Sequence, residues 1–103
     1  MASKIIETLR QPDIRKIFDD NHVAHVYLFG SFARGEETPE SDIDIVFVEK
    51  VGATLSLFDM GDMAYRLKEK LGRSVDIVSR DSVMKTKYPE IRESIIEDMR
   101  PVF

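Results

Sequence analysis

An aspartate pair inside an apolar strand constrains this chain more than any other feature. Ser41-Asp42-Ile43-Asp44-Ile45 runs straight into Val46-Phe47-Val48. Side chains alternate along a strand, so Asp42 and Asp44 share one face, their Cα atoms about 6–7 Å apart, while Ile43, Ile45 and Phe47 take the other. An unpaired carboxylate in apolar surroundings loses hydration worth several kcal/mol, comparable to the net stability of a small domain. Two of them need a compensating partner, and a divalent cation is the obvious one.

A third acid completes the pattern. Asp76 is the lone acid in the next apolar run, Val75-Asp76-Ile77-Val78. Three carboxylates drawn from two strands can hold a pair of Mg²⁺ ions, which in two-metal sites sit about 3.5–4 Å apart. Taken singly, Asp42 also reads as a turn residue beside Ser41, and Asp76 as an ion-pair partner of Arg73 or Arg80. Taken together, two adjacent strands that each carry a stranded acid point to a metal site.

Upstream, Gly30-Ser31-Phe32-Ala33-Arg34-Gly35 follows a β-rich run, His25 to Phe29. Glycine permits close backbone approach, and free amides at a helix start attract anions. Gly30 and Ser31 are therefore the candidate binders of a polyphosphate. Arg34 has two candidate partners, a phosphate or the neighbouring Glu36 and Glu37. Neither a Walker lysine nor a dinucleotide glycine spacing is present.

The element order reads α-β-loop-β-α-β-α. Ser3 to about Asp20 is helical in pattern and is split by Pro12. The strands are expected at 25–29, 42–49 and 74–79, separated by a Pro39-containing loop and by a helix from the Ser56 cap to Leu71, stopped at Gly72. A final helical region from about Asp81 is interrupted near Pro89, has Ile91, Ile95 and Met99 as its inner face and ends at Pro101. The expected fold class is α/β (α+β): one domain over residues 1–103, a small mixed sheet flanked by helices, with the helices on one side.

Composition narrows the function. With 43% apolar and 33% charged residues the chain fits a soluble globular domain. No apolar run approaches the roughly 20 residues needed to span a bilayer, and Met1 to Ile6 lacks the apolar core of a secretory signal. Zero cysteines remove disulfides and thiolate metal sites and agree with a cytoplasmic address. A net charge of −4 disfavours nucleic acid as a partner, since phosphate neutralisation supplies most of that affinity. His22 and His25, the methionines, and Tyr27, Tyr65 and Tyr88 carry no motif and are read as edge or packing residues. Lys85, Lys87, Arg66, Lys68 and Lys70 read as a docking surface or, equally, as solvated helix faces.

Gly30-Ser31, Arg34-Gly35, Ser41-Asp42-Ile43-Asp44 and the later Asp76 resemble the nucleotidyltransferase superfamily that includes DNA polymerase beta. The short length resembles its minimal nucleotidyltransferase (MNT) branch, the antitoxin partners of HEPN toxins. The resemblance covers nearly the whole chain and implies a nucleotidyltransferase fold, two Mg²⁺ ions and ATP as substrate. It implies that Asp42 and Asp44 bind both metals, that Asp76 completes the nucleophile-side metal and helps deprotonate the attacking hydroxyl, and that Gly30 and Ser31 bind the triphosphate. Phe32 departs from the basic or tyrosine residue that many relatives carry there. The implied activity is transfer of AMP onto a tyrosine of a cognate HEPN toxin, with which the chain could form an oligomer. Two alternatives stand beside it: a binding module that silences its partner by occlusion, and a transferase acting on a small hydroxylated molecule such as an aminoglycoside.

Overall fold

A computed structural model describes residues 2–103; Met1, the first residue of the N-terminal stretch read above, lies outside the described residues. The elements in chain order are α1 (Ser3–Leu9), α2 (Pro12–Asp20), β1 (Val23–Phe29), α3 (Gly30–Arg34), β2 (Ile43–Glu49), α4 (Leu57–Leu71), β3 (Val75–Ser79), α5 (Arg80–Met84), α6 (Pro89–Asp98) and β4 (Arg100–Pro101). Pro12 opens α2 at its first position, where a missing amide costs nothing. Ser56 caps α4 reciprocally with Asp59: each side chain accepts from the other residue's backbone amide. Gly72, at φ 70°, closes that helix in the left-handed conformation that side chains disfavour.

The four strands form a mixed sheet in the order β3-β2-β1-β4. β1 is antiparallel to both β2 and β4, and β2 is parallel to β3. A parallel pair needs a crossover, which α4 provides. Ile43, Ile45 and Phe47 meet Val26 and Leu28 on the core face, under Leu9, Ile17 and Phe18 from α1 and α2 and Met63 and Leu67 from α4. The register shift between Val23 and His25 leaves Ala24 unpaired. That extra residue returns Val23 to the core side, where it is fully buried beside Val26.

The mixed sheet flanked by helices matches the expected fold class, and four local expectations change. Helices are not confined to one side: α5 packs on β2 and β3, and α6 on β1. Val46 and Val83 are buried outside the main core cluster, Val46 on the face that carries Asp44. The inner face expected for α6 is shallow, since the helix buries no residue and Ile91 is 49% exposed. Pro101 does not simply end a helix; it forms the edge strand β4, which pairs with Tyr27 and Leu28. Proline is tolerated there because its missing amide faces away from the ladder. In α4 the buried stripe is Met63 and Leu67, with Leu57 left exposed. No described helix is long and apolar enough to cross a membrane.

Candidate active site

Strand register builds the site. Asp44 of β2 lies opposite Phe29 of β1 and opposite Asp76 of β3. Residues in one cross-strand row share a face, so the Asp44 and Asp76 side chains stand next to each other. Asp42 sits just before β2 begins, exposed at the strand entrance. The turn from β1 into α3 closes the row on the other side. Gly30 has φ +75°, and a Cβ added there would fall 2.2 Å from Asp44 Oδ2. The carboxylate is thus seated against bare glycine backbone.

The aspartates divide into two kinds. Asp13, Asp19, Asp20, Asp62, Asp81 and Asp98 each pair with a lysine or arginine, and Asp59 caps α4. Asp42, Asp44 and Asp76 have no such pair among the described residues. The ion-pair reading of Asp76 is not what the fold adopts: Arg73 instead donates to the backbone carbonyls of Thr38, Pro39 and Ser41 at 3.3, 3.0 and 2.9 Å. As they stand, no three His, Cys, Asp or Glu side chains among the described residues are gathered closely enough to hold a metal ion. The donor set is nonetheless all carboxylate oxygen, the chemistry that Mg²⁺ takes.

Asp44 records the strain of this arrangement. Its pKa is pushed up from 3.8 to about 6, first by burial, then by the charge and hydrogen bond of Asp76 and by the charge of Asp42, with Arg34 acting in the opposite sense. The folded state therefore holds this proton more tightly than the unfolded chain. Its contribution to stability is fully present below about pH 4 and is lost as pH rises through about 6. The Asp44 carboxyl is only half-buried, so solvent screening discounts the effect to about 1–2 kcal/mol. In chelator-treated protein, the difference in urea stability between wild type and Asp44→Asn is expected to grow by that amount between pH 4 and pH 7, the variant being the more stable at neutral pH. A difference independent of pH would contradict the crowding of Asp44.

Of the phosphate-turn candidates, Gly30 and half-buried Ser31 lie in the first turn of α3, directly beside Asp44. Arg34 forms the last residue of that helix and is engaged by Glu36 at 2.8 Å and by Asp98 at 2.6 Å. Pairing with Glu36 was one of its expected options; Asp98 was not foreseen. The missed residue is Arg73. It clamps the loop that delivers Asp42 and stacks over the Phe32 ring of α3, 5.2 Å from its centroid. All three carbonyls accept from Nη1, and the planar guanidinium lies flat enough to cover Phe32, a stacking that a lysine ammonium does not reproduce. Arg73→Ala is expected to destabilise the protein by about 1–3 kcal/mol, with Arg73→Lys recovering only part of it in chemical denaturation. A cavity of about 560 Å³ opens beside Phe32, Ile43 and Arg73, and none of the three carboxylates lines it. The acids instead occupy the sheet rim, at the start of β2 and β3 and the end of β1.

Residues 12–102 match the family model described as nucleotidyltransferase domain. A relative from Methanocaldococcus jannaschii named "Putative protein adenylyltransferase MJ1379" is 37% identical over 98 residues, 94% of this chain and 93% of that one. A solved structure described as a "putative minimal nucleotidyltransferase" superposes with TM-score 0.68 at 32% identity, covering 93% of this chain and 94% of its own. A second, of a toxin–antitoxin with AMP-PNP, gives TM-score 0.68 at 25% identity over 87% of this chain and 69% of that chain.

Proposed function

This chain belongs to the nucleotidyltransferase domain family and is a nucleotidyltransferase, and on that premise we propose that it moves AMP from ATP onto a tyrosine hydroxyl of a HEPN-type toxin, silencing it, in a Mg²⁺-dependent reaction. One observation carries the reading: Asp42, Asp44 and Asp76 stand on one sheet rim without a cationic partner among the described residues, whereas every other aspartate pairs with a lysine or arginine or caps a helix. The toxin–antitoxin complex with AMP-PNP among the solved structures supports both the nucleotide and the kind of partner.

In this reading the acceptor hydroxyl attacks the α-phosphorus of ATP and pyrophosphate leaves. Gly30 and Ser31 hold the triphosphate at the start of α3, where amides are free and no Cβ obstructs. Asp76, opposite Asp44 in the row, would help to take the proton of the attacking hydroxyl. Asp42, Asp44 and Asp76 would hold two Mg²⁺ ions, which when bound supply charge stabilisation on the attacking and leaving oxygens. Beyond this the protein positions its reactants, since the open rim leaves the acceptor to be brought by a partner.

The test is incubation with α-labelled ATP, Mg²⁺ and a HEPN-type protein. Label is expected on the toxin, at a tyrosine, and not on aminoglycosides offered alone. Label on the small acceptor instead would move the substrate class. Neutralisation without any label would replace the enzyme with an occluding module.

A further inference from the structure

We propose that the cavity of about 560 Å³ beside Phe32, Ile43 and Arg73 is a second ligand site. Its occupant is a small organic anion, a single negative charge on an apolar body, and its occupancy is felt by the loop that delivers Asp42. A space of this size suits a metabolite. Its floor is apolar, made of buried Phe32 and Ile43 with half-buried Ile5 and Leu71. Lys4, Arg73 and Glu37 stand around that floor, and none of the three forms an ion pair among the described residues.

A smaller cavity of about 330 Å³ between α2 and α4 shows the contrast. Its cations are already taken up by carboxylates: Lys16 by Asp20, Arg66 by Asp20 and Asp62, and Lys70 by Asp13. Its Glu69 accepts from the Tyr65 hydroxyl. Nothing there is left to recognise a charged ligand. In the larger cavity two cations face one acid, a balance that suits one negative charge, and Glu37 disfavours a polyanion. Arg73 supplies the link to the loop. Its Nη1 donates to the carbonyls of Thr38, Pro39 and Ser41, while Nε and Nη2 have no partner among the described residues. An anion held by those two donors fixes the guanidinium plane, and with it the loop that leads into Asp42. Only the consequence for transfer rests on the nucleotidyl-transfer reading; the binding does not.

The test uses two fluorescent probes with the same rings: anilinonaphthalene sulfonate, a monoanion, and phenylnaphthylamine, its uncharged counterpart. Titrated into the full chain, the anion is expected to bind the more tightly. Lys4→Gln is expected to weaken the anion about two- to five-fold and Glu37→Gln to tighten it by a similar factor. Neither is expected to alter the uncharged probe, and Lys16→Gln, beside the smaller cavity, is expected to alter neither probe. All three positions are exposed, so the variants keep the fold. With the anion saturating, nuclear Overhauser contacts are expected to Phe32 and Leu71. Exchange of the Ser41 amide, which donates to the Thr38 carbonyl at 3.0 Å, is expected to slow about two- to five-fold. Failure of the wild type to bind the anion, equal affinity for the two probes, or variants that move both probes alike overturn the site. Overhauser contacts to the exposed Leu57 and Phe58 instead overturn it as well. Contacts at Phe32 with Ser41 exchange unchanged overturn the link to the loop.

Discussion

Replacing Asp42 and Asp44 together with asparagine is expected to lower AMP transfer by at least about a thousand-fold while leaving the protein folded. The magnitude follows from the chemistry. Losing two of the three carboxylates proposed to hold the metals would remove charge stabilisation worth several kcal/mol, and each 1.4 kcal/mol is about tenfold in rate. The retained fold follows from the structure. Neither side chain pairs with a cation among the described residues, and ionised Asp44 is itself held at a cost, its pKa raised to about 6. Asparagine keeps shape and removes charge, so the melting temperature of the metal-free variant is expected to equal or exceed that of wild type. Label transfer and circular-dichroism melts on the same preparation separate the two effects. A variant that lost both together would show the acids to be structural.

The second large effect is expected at Gly30. Alanine there must adopt φ +75° and place its Cβ 2.2 Å from Asp44 Oδ2. The left-handed backbone costs a non-glycine residue about 1–2 kcal/mol. The contact adds a displacement of the Asp44 carboxylate, and misplacement of a reacting group by about 1 Å costs on the order of a hundred-fold in rate. Gly30→Ala is therefore expected to lose about 1–2 kcal/mol in urea denaturation and about a hundred-fold in transfer. The loss of activity under conditions where the variant is fully folded is the informative part. Activity that tracked the folded fraction alone would mean that the seat of Asp44 against Gly30 has no bearing on transfer.

The parts of the fold that were legible are those written in local patterns. The alternation around Asp42 and Asp44 placed β2 to within a residue, and Ser56 and Gly72 bounded α4 through cap chemistry. The sequence also singled out Asp76 as anomalous, yet only the parallel register shows that it stands opposite Asp44. Features that rest on long-range partners were out of reach. Arg73 reaches carbonyls 32 to 35 residues away, and Asp98 reaches Arg34 across 64. Neither arginine carries a local signal that would distinguish it from a solvated charge. β4 is two residues long and too short to show alternation, so Pro101 read as a helix stop. The apolar residues of α6 show helical spacing, and spacing alone does not tell whether anything covers them: Ile91 and Ile96 stay exposed.

The central claim is that Asp42, Asp44 and Asp76 converge on divalent cations at the rim of the sheet. A crystal structure of the protein with Mn²⁺ and a non-hydrolysable ATP analogue, with the metal located by its anomalous signal, tests it most directly. The account predicts metal density bounded by all three carboxylates, with the triphosphate running toward Gly30 and Ser31. Metal bound elsewhere, or an Asp76 carboxylate turned away from it, would contradict the account.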